Sequence, residues 1–72
     1  MKRLAWIEKG NDGEYSIFSA DTQSTIVGVG FTVEEAKEDF EIALKELIDC
    51  YTENGEPIPE ELQGVEFEFK EK

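Results

Sequence analysis

The sequence contains no histidine and a single cysteine. Without histidine the usual general base near neutral pH is missing, and so is the commonest zinc ligand. Ser16, Ser19, Ser24 and the threonines have no imidazole to activate them as nucleophiles. The lone Cys50 excludes an internal disulfide. It falls among helix-forming residues beside Tyr51, where a small core or boundary residue is expected rather than a nucleophile. Basic residues are scarce as well: 7 Lys and Arg stand against 18 Asp and Glu, for a formal net charge of −11. Such a field repels phosphates, which disfavours direct nucleic-acid binding and an anionic membrane surface. A basic protein is the better-matched partner, because opposite fields steer encounter. The other reading of the acidity is solubility alone. No apolar run approaches a membrane span, and Met1-Lys2-Arg3 opens without an apolar signal region. These features point to the cytoplasm.

At 72 residues the chain is expected to form one domain, 1–72, with a thin core and no staple to reinforce it. Marginal stability, or support from self-association, follows. Both prolines lie in one connector, "ENGEPIPEEL" from Glu53 to Leu62. The pattern around that connector predicts an α+β fold, β-β-β-α-β, with one sheet packed on a single amphipathic helix.

Leu4-Ala5-Trp6-Ile7 is a short apolar run, followed by the turn-forming cluster Gly10-Asn11-Asp12-Gly13. Tyr15-Ser16-Ile17-Phe18 reads as the returning strand, and Asp21–Ser24 as a polar turn. In Thr25–Phe31 the alternation puts Thr25, Val27, Val29 and Phe31 on one face and Ile26, Gly28 and Gly30 on the other. Glycine weakens a strand unless something must approach its backbone closely; a helix or a partner chain lying over Gly28 and Gly30 would supply the reason. Gly28-Val29-Gly30 lacks the further glycine and the lysine of a phosphate loop.

The helix is the clearest element. Thr32 can cap it, and Glu35 can close a capping box. Val33, Ala36, Phe40, Ala43, Leu44, Leu47, Ile48 and Tyr51 recur at helical spacing as one apolar stripe. Glu41 and Lys45 stand four apart as a favourable pair. Asn54-Gly55 supplies the stop. Pro57 and Pro59 then hold the chain extended, Ile58 and Leu62 can tack it to the core, and Pro59–Leu62 can form one helical turn. Val65–Lys70 alternates cleanly, with Val65, Phe67 and Phe69 facing a core and Glu66, Glu68 and Lys70 facing water.

Carboxylates are so common here that two close together mean little. A two-metal nuclease needs acids converging from strand ends. Glu8 lies at the exit of the first strand, Asp12 and Glu14 in the turn, and Asp21 after the second strand, so no converging set is visible. No catalytic residues, metal or cofactor are expected.

The order of motifs resembles the HicB-like antitoxin family. Trp6-Ile7-Glu8-Lys9, the turn Asn11-Asp12-Gly13 and Tyr15-Ser16 resemble that family's opening hairpin. Gly30-Phe31-Thr32-Val33-Glu34-Glu35-Ala36 is similar to its "G-x-T-x-E-E-A" lead-in to the helix, and Asn54–Glu60 to its "D/N-G-E-P-I-P-E" segment. Where the family commonly has "P-D-L-P-G-C", this chain has Ala20-Asp21-Thr22-Gln23-Ser24-Thr25 and keeps only the aspartate. Many members continue into a ribbon-helix-helix or helix-turn-helix segment; the sequence runs instead to Glu71-Lys72, and direct DNA binding is not carried over.

The resemblance implies a partial RNase H-like unit with the last strand beside the first. It also implies a role in a type II toxin–antitoxin system, without catalysis: binding a small basic mRNA-cleaving HicA-like toxin and masking its active site. The residues expected to meet the partner are Asp21, Thr22, Thr25, Val29, Glu34, Glu35, Glu38 and Asp39. Each also has a plain structural reading as a cap, a turn or a solvated face. The alternative function is a stand-alone acidic homo-oligomeric interaction module, a dimer or larger, joined through exposed strand edges.

Overall fold

The computed structural model describes residues 2–72. Its elements are β1 (Lys2–Lys9), β2 (Tyr15–Ser19), β3 (Val27–Gly30), α1 (Val33–Glu53), a 3-10 turn (Glu60–Leu62) and β4 (Glu66–Glu71). The architecture is the expected α+β arrangement, one helix against one four-stranded sheet.

Local chemistry sets the elements. In the first turn Gly10 N–H donates to the Glu14 carbonyl at 2.7 Å, and the Asp12 carboxylate accepts from Glu14 N–H at 3.0 Å. That closure pairs β1 with β2 in antiparallel register, Trp6 opposite Phe18 and Ile7 opposite Ile17. β2 pairs with β3, also antiparallel, with Ile17 opposite Gly28. β3 is shorter than the sequence suggests. The Ser19 hydroxyl takes Ile26 N–H at 3.1 Å and donates to the Ser24 carbonyl at 3.1 Å, so the side chain replaces one of the two ladder bonds there, while Ser19 N–H still reaches the Ile26 carbonyl at 3.0 Å.

At the start of α1, Thr32 Oγ1 accepts from Glu35 N–H at 3.1 Å, half of a capping box. The other half is altered: the Glu35 carboxylate reaches Phe31 N–H at 3.0 Å, one residue before the cap. The far end closes as a Schellman motif. Gly55 takes φ +69°, Glu56 N–H reaches the Tyr51 carbonyl, and Gly55 N–H reaches that of Thr52. The prolines follow. Leu62 N–H then bonds the Pro59 carbonyl at 2.9 Å, turning the chain once before β4. β4 returns parallel to β1, with Ala5 opposite Phe69, and the sheet order is β3-β2-β1-β4.

The core lies between α1 and the sheet. Ala5, Ile7, Ile17, Ile26, Ala36, Phe40 and Leu62 are buried, and Ile58, Phe67 and Phe69 pack on them from the connector and β4. Phe40 sits edge-on to Phe67 and Phe69, with centroids at 4.9 and 5.5 Å. Fully buried, it contributes about 3 kcal/mol by transfer alone. Gly28 makes this packing possible. A Cβ at that position would stand 2.3 Å from Phe40 N and 2.5 Å from the Ala36 carbonyl. The helix backbone therefore rests directly on β3, and of the two readings of the glycines it is the helix that covers them.

Two expectations change. Cys50 is exposed, neither a core nor a boundary residue. The inward positions in its turn are filled by Leu47 and Tyr51, leaving its thiol to accept from Asn54 Nδ2 at 3.6 Å. Glu41 and Lys45 do not close an ion pair; the pairs among the described residues are Lys70–Glu68 at 3.9 Å and Lys72–Glu8 at 3.7 Å. An exposed pair gains little over hydration, so either state costs tenths of a kcal/mol, about the size of thermal energy. No helix is long and apolar enough to cross a membrane among the described residues.

Candidate functional site

The glycines that admit the helix also dictate what the opposite face of β3 displays. With Gly28 and Gly30 turned toward α1, Val27, Val29 and Phe31 turn away from it. They are 47%, 44% and 71% exposed, unusually open for such side chains. Val27 continues a row across the sheet: Lys70, Trp6, Phe18 and Val27 stand side by side on β4, β1, β2 and β3. Trp6 and Phe18 are half-buried. Among the described residues no helix packs on this face; the Lys72 side chain reaches over it, its ammonium 5.4 Å from the Phe18 ring centroid.

β3 is also the edge of the sheet, and an edge leaves alternate backbone groups without a ladder partner. Two of those N–H groups are occupied. Val29 N–H donates to Asp39 Oδ2 at 3.0 Å, and Phe31 N–H to Glu35 Oε1 at 3.0 Å. The helix thus lays carboxylates along the strand edge that its own close approach has brought within reach. Glu35, Glu38, Asp39 and Ile42 share one helix face by their spacing. Ile42 is 53% exposed. The result is a rim on which apolar groups (Val27, Val29, Phe31, Ile42) alternate with fixed negative charge. Such a surface suits a protein that presents cations around an apolar knob.

The residues singled out from sequence fall into two groups. Val29, Glu35 and Asp39 come together at this rim, with the exposed Glu34 and Glu38 on the adjacent turns of α1. Thr25, also exposed, lies before the first residue of β3, at the end opposite the helix start. Asp21 and Thr22 are engaged in the β2–β3 loop. The Asp21 carboxylate accepts from Leu4 N–H at 3.2 Å, and the Thr22 hydroxyl donates to the Ser24 carbonyl at 2.6 Å. Asp21 thus serves the start of β1, while Glu8, paired with Lys72, lies at the other end of that strand. Among the described residues no cluster of His, Cys, Asp or Glu could hold a metal ion.

Sequence reading missed Val27, Phe31 and Ile42 as surface groups. The signal was present for the first two, since they share the face opposite the glycines; their exposure depended on which face the helix covered. It also missed Glu61. This carboxylate accepts from Gln23 N–H at 3.1 Å and Ser24 N–H at 3.2 Å, clamping the β2–β3 loop to the 3-10 turn. Those backbone donors, aided by the Arg3 charge, hold its pKa below the ordinary 4.5 of a glutamate. An open cavity of about 510 Å³ lies beside it, between Arg3, Tyr51 and Glu60. The Nε of Arg3 is buried there without a hydrogen-bond partner among the described residues.

Compared with protein-family models, with characterised proteins and with solved structures, the chain matches none.

Proposed function

We propose that this protein is a binding module rather than an enzyme, and that it acts as an antitoxin-type protein masking a small basic mRNA-cleaving toxin of the HicA-like kind. The observation that carries the reading is the β3–α1 rim, where exposed Val27, Val29, Phe31 and Ile42 are set among Glu35, Glu38 and Asp39. The resemblance of three ordered motifs to HicB-like domains names the partner class. The formal charge of −11 favours a basic protein and opposes nucleic acid.

Occlusion needs no chemistry from this chain. An acidic rim draws in a basic surface, and the apolar groups then exclude water from the contact. The test is to express this protein with the product of a small basic reading frame beside its gene. The expected result is a tight, salt-sensitive complex and relief of mRNA cleavage. A neighbouring product that neither binds nor is neutralised would defeat the reading.

A second reading is favoured by a different observation. The row Trp6, Phe18 and Val27 forms an apolar strip across the outer sheet face, which suits a homo-oligomeric interaction module. Sedimentation across a concentration series distinguishes the two: a symmetric oligomer without any partner supports self-association, and a strict monomer counts against it.

A further inference from the structure

The sheet has two edges, and they differ. At β3 the carboxylates of Asp39 and Glu35 already accept the Val29 and Phe31 N–H groups, so an incoming strand finds that edge occupied. At β4 the edge is open. Lys72 N–H donates to the Ile7 carbonyl at 2.9 Å. Backbone groups alternate in direction along a strand, so the residues of the Lys72 set face β1. Phe67, Phe69 and Glu71 therefore aim their N–H and C=O groups away from the sheet.

The side chains of β4 carry a second regularity. Glu66, Glu68, Lys70 and Lys72 share its outer face and are all exposed. Read in reverse, the order Glu, Glu, Lys, Lys places each glutamate opposite a lysine. We propose that β4 is the docking edge for a second copy of this chain, paired antiparallel about Phe69 into one continuous sheet. This rests on the self-association reading and is independent of the toxin reading.

The register follows from the backbone. With Phe69 opposite Phe69 of the second copy, the outward-facing groups of Phe67, Phe69 and Glu71 form the hydrogen-bonded pairs. Glu68 then meets Lys70 of the second copy, and Glu66 meets Lys72, each twice by symmetry. These are the non-hydrogen-bonded positions, where Cα atoms approach to about 4.5 Å and side chains interact most. Shifting the two-fold centre to Glu68 opposes that glutamate to its own copy; shifting it to Lys70 does the same with lysine. A shift by a single residue turns Phe67 and Phe69 onto the wrong face.

The existing ion pairs are weak enough to exchange. Lys70–Glu68 at 3.9 Å and Lys72–Glu8 at 3.7 Å both join side chains more than half exposed. The net charge of each chain repels the other at long range, but at physiological salt that repulsion decays over about 8 Å, leaving the contact pairs to decide. Inside the edge, the groove between α1 and β4, about 330 Å³ and lined by Phe40, Leu44, Val65, Phe67 and Phe69 together with Glu41 and Glu66, lies next to the docked strand.

The experiment is sedimentation equilibrium on the wild type, E68K, K70E and E68K/K70E. Either single change puts like charges opposite each other and is expected to weaken the dimer on the order of tenfold or more. The double change restores opposite charges and returns affinity to within a few-fold of wild type. In a C50S background, E68C chains mixed with K70C chains are expected to form a disulfide between copies, since the pair distance suits one. Wild type that stays monomeric to hundreds of µM overturns both this inference and the self-association reading. A dimer that strengthens with E68K, weakens with K70E and gives no cross-link follows net charge instead. That result overturns the β4 register and leaves self-association through another face.

Discussion

Replacing Gly28 with alanine adds one methyl group at the point where the fold is tightest. The new Cβ would lie 2.3 Å from Phe40 N, 2.5 Å from the Ala36 carbonyl and 2.6 Å from Phe40 Cα, about 1 Å inside the 3.4 Å of ordinary contact. The obstacle is backbone, not the end of a flexible side chain, so the helix itself must retreat. A gap of that size forfeits a quarter to a half of each contact's dispersion energy, and Ala36 and Phe40 are fully buried at this point. Overpacking of this kind costs about 3 kcal/mol at its upper range. Restricting the unfolded chain returns up to about 1 kcal/mol, for a net loss of about 2 kcal/mol. A domain of this length holds about 4–11 kcal/mol in total. The assay is urea unfolding followed by Trp6 fluorescence, with an expected midpoint shift of about 1–2 M and a Tm lowered by about 8–16 °C. Val27→Ala, on the opposite face of the same strand, serves as a control and costs below about 1 kcal/mol. A G28A midpoint within about 0.3 M of wild type would refute direct helix-on-strand packing, because no room exists for the methyl otherwise.

Other perturbations test the remaining contacts. Asp39→Ala removes the acceptor of Val29 N–H; amide exchange at Val29 rises selectively, and stability falls by about 1 kcal/mol. Glu61 is read through pH. Its folded pKa lies below the ordinary 4.5, first because Gln23 and Ser24 N–H groups donate to the charged form. Its contribution is therefore present above that value and is lost as pH falls through the lower folded pKa. The stability difference between wild type and E61Q is expected to be constant from neutral pH to about 5 and to shrink below 4.5; a difference that grows on acidification contradicts the clamp.

The parts of this fold that were legible in sequence are those set by short-range periodicity. The stripe from Val33 to Tyr51 specifies the helix, the alternation of Glu66 to Lys70 specifies β4, and Asn54-Gly55 specifies the stop. Gly28 and Gly30 announced a close approach, although two occupants could have made it. What sequence could not resolve are pairings between distant elements. Glu35 sits at the capping-box position, yet its acceptor serves Phe31 N–H because the strand edge lies within reach. Asp39 looked like part of a solvated face, and only the resting of α1 on β3 brings it to Val29. Glu61 meets Gln23 and Ser24 across 38 and 37 positions of chain. Cys50 was misplaced for a related reason: the apolar stripe narrows toward the helix end, where Leu47 and Tyr51 alone remain in contact with the core.

The geometry also refines how the rim can be probed. Reversing Glu35 or Asp39 would remove bonds that hold β3, confusing binding with folding. Glu34 and Glu38 carry charge on the same part of α1 without such bonds among the described residues. Reversing both costs about 1 kcal/mol at most through the helix dipole. The most direct measurement is therefore stopped-flow association of E34K/E38K with the proposed partner, a small basic toxin of the HicA-like kind, at low salt. The account predicts an association rate reduced tenfold or more with a nearly unchanged dissociation rate. An association rate equal to wild type would contradict the β3–α1 rim as the surface that receives a basic partner.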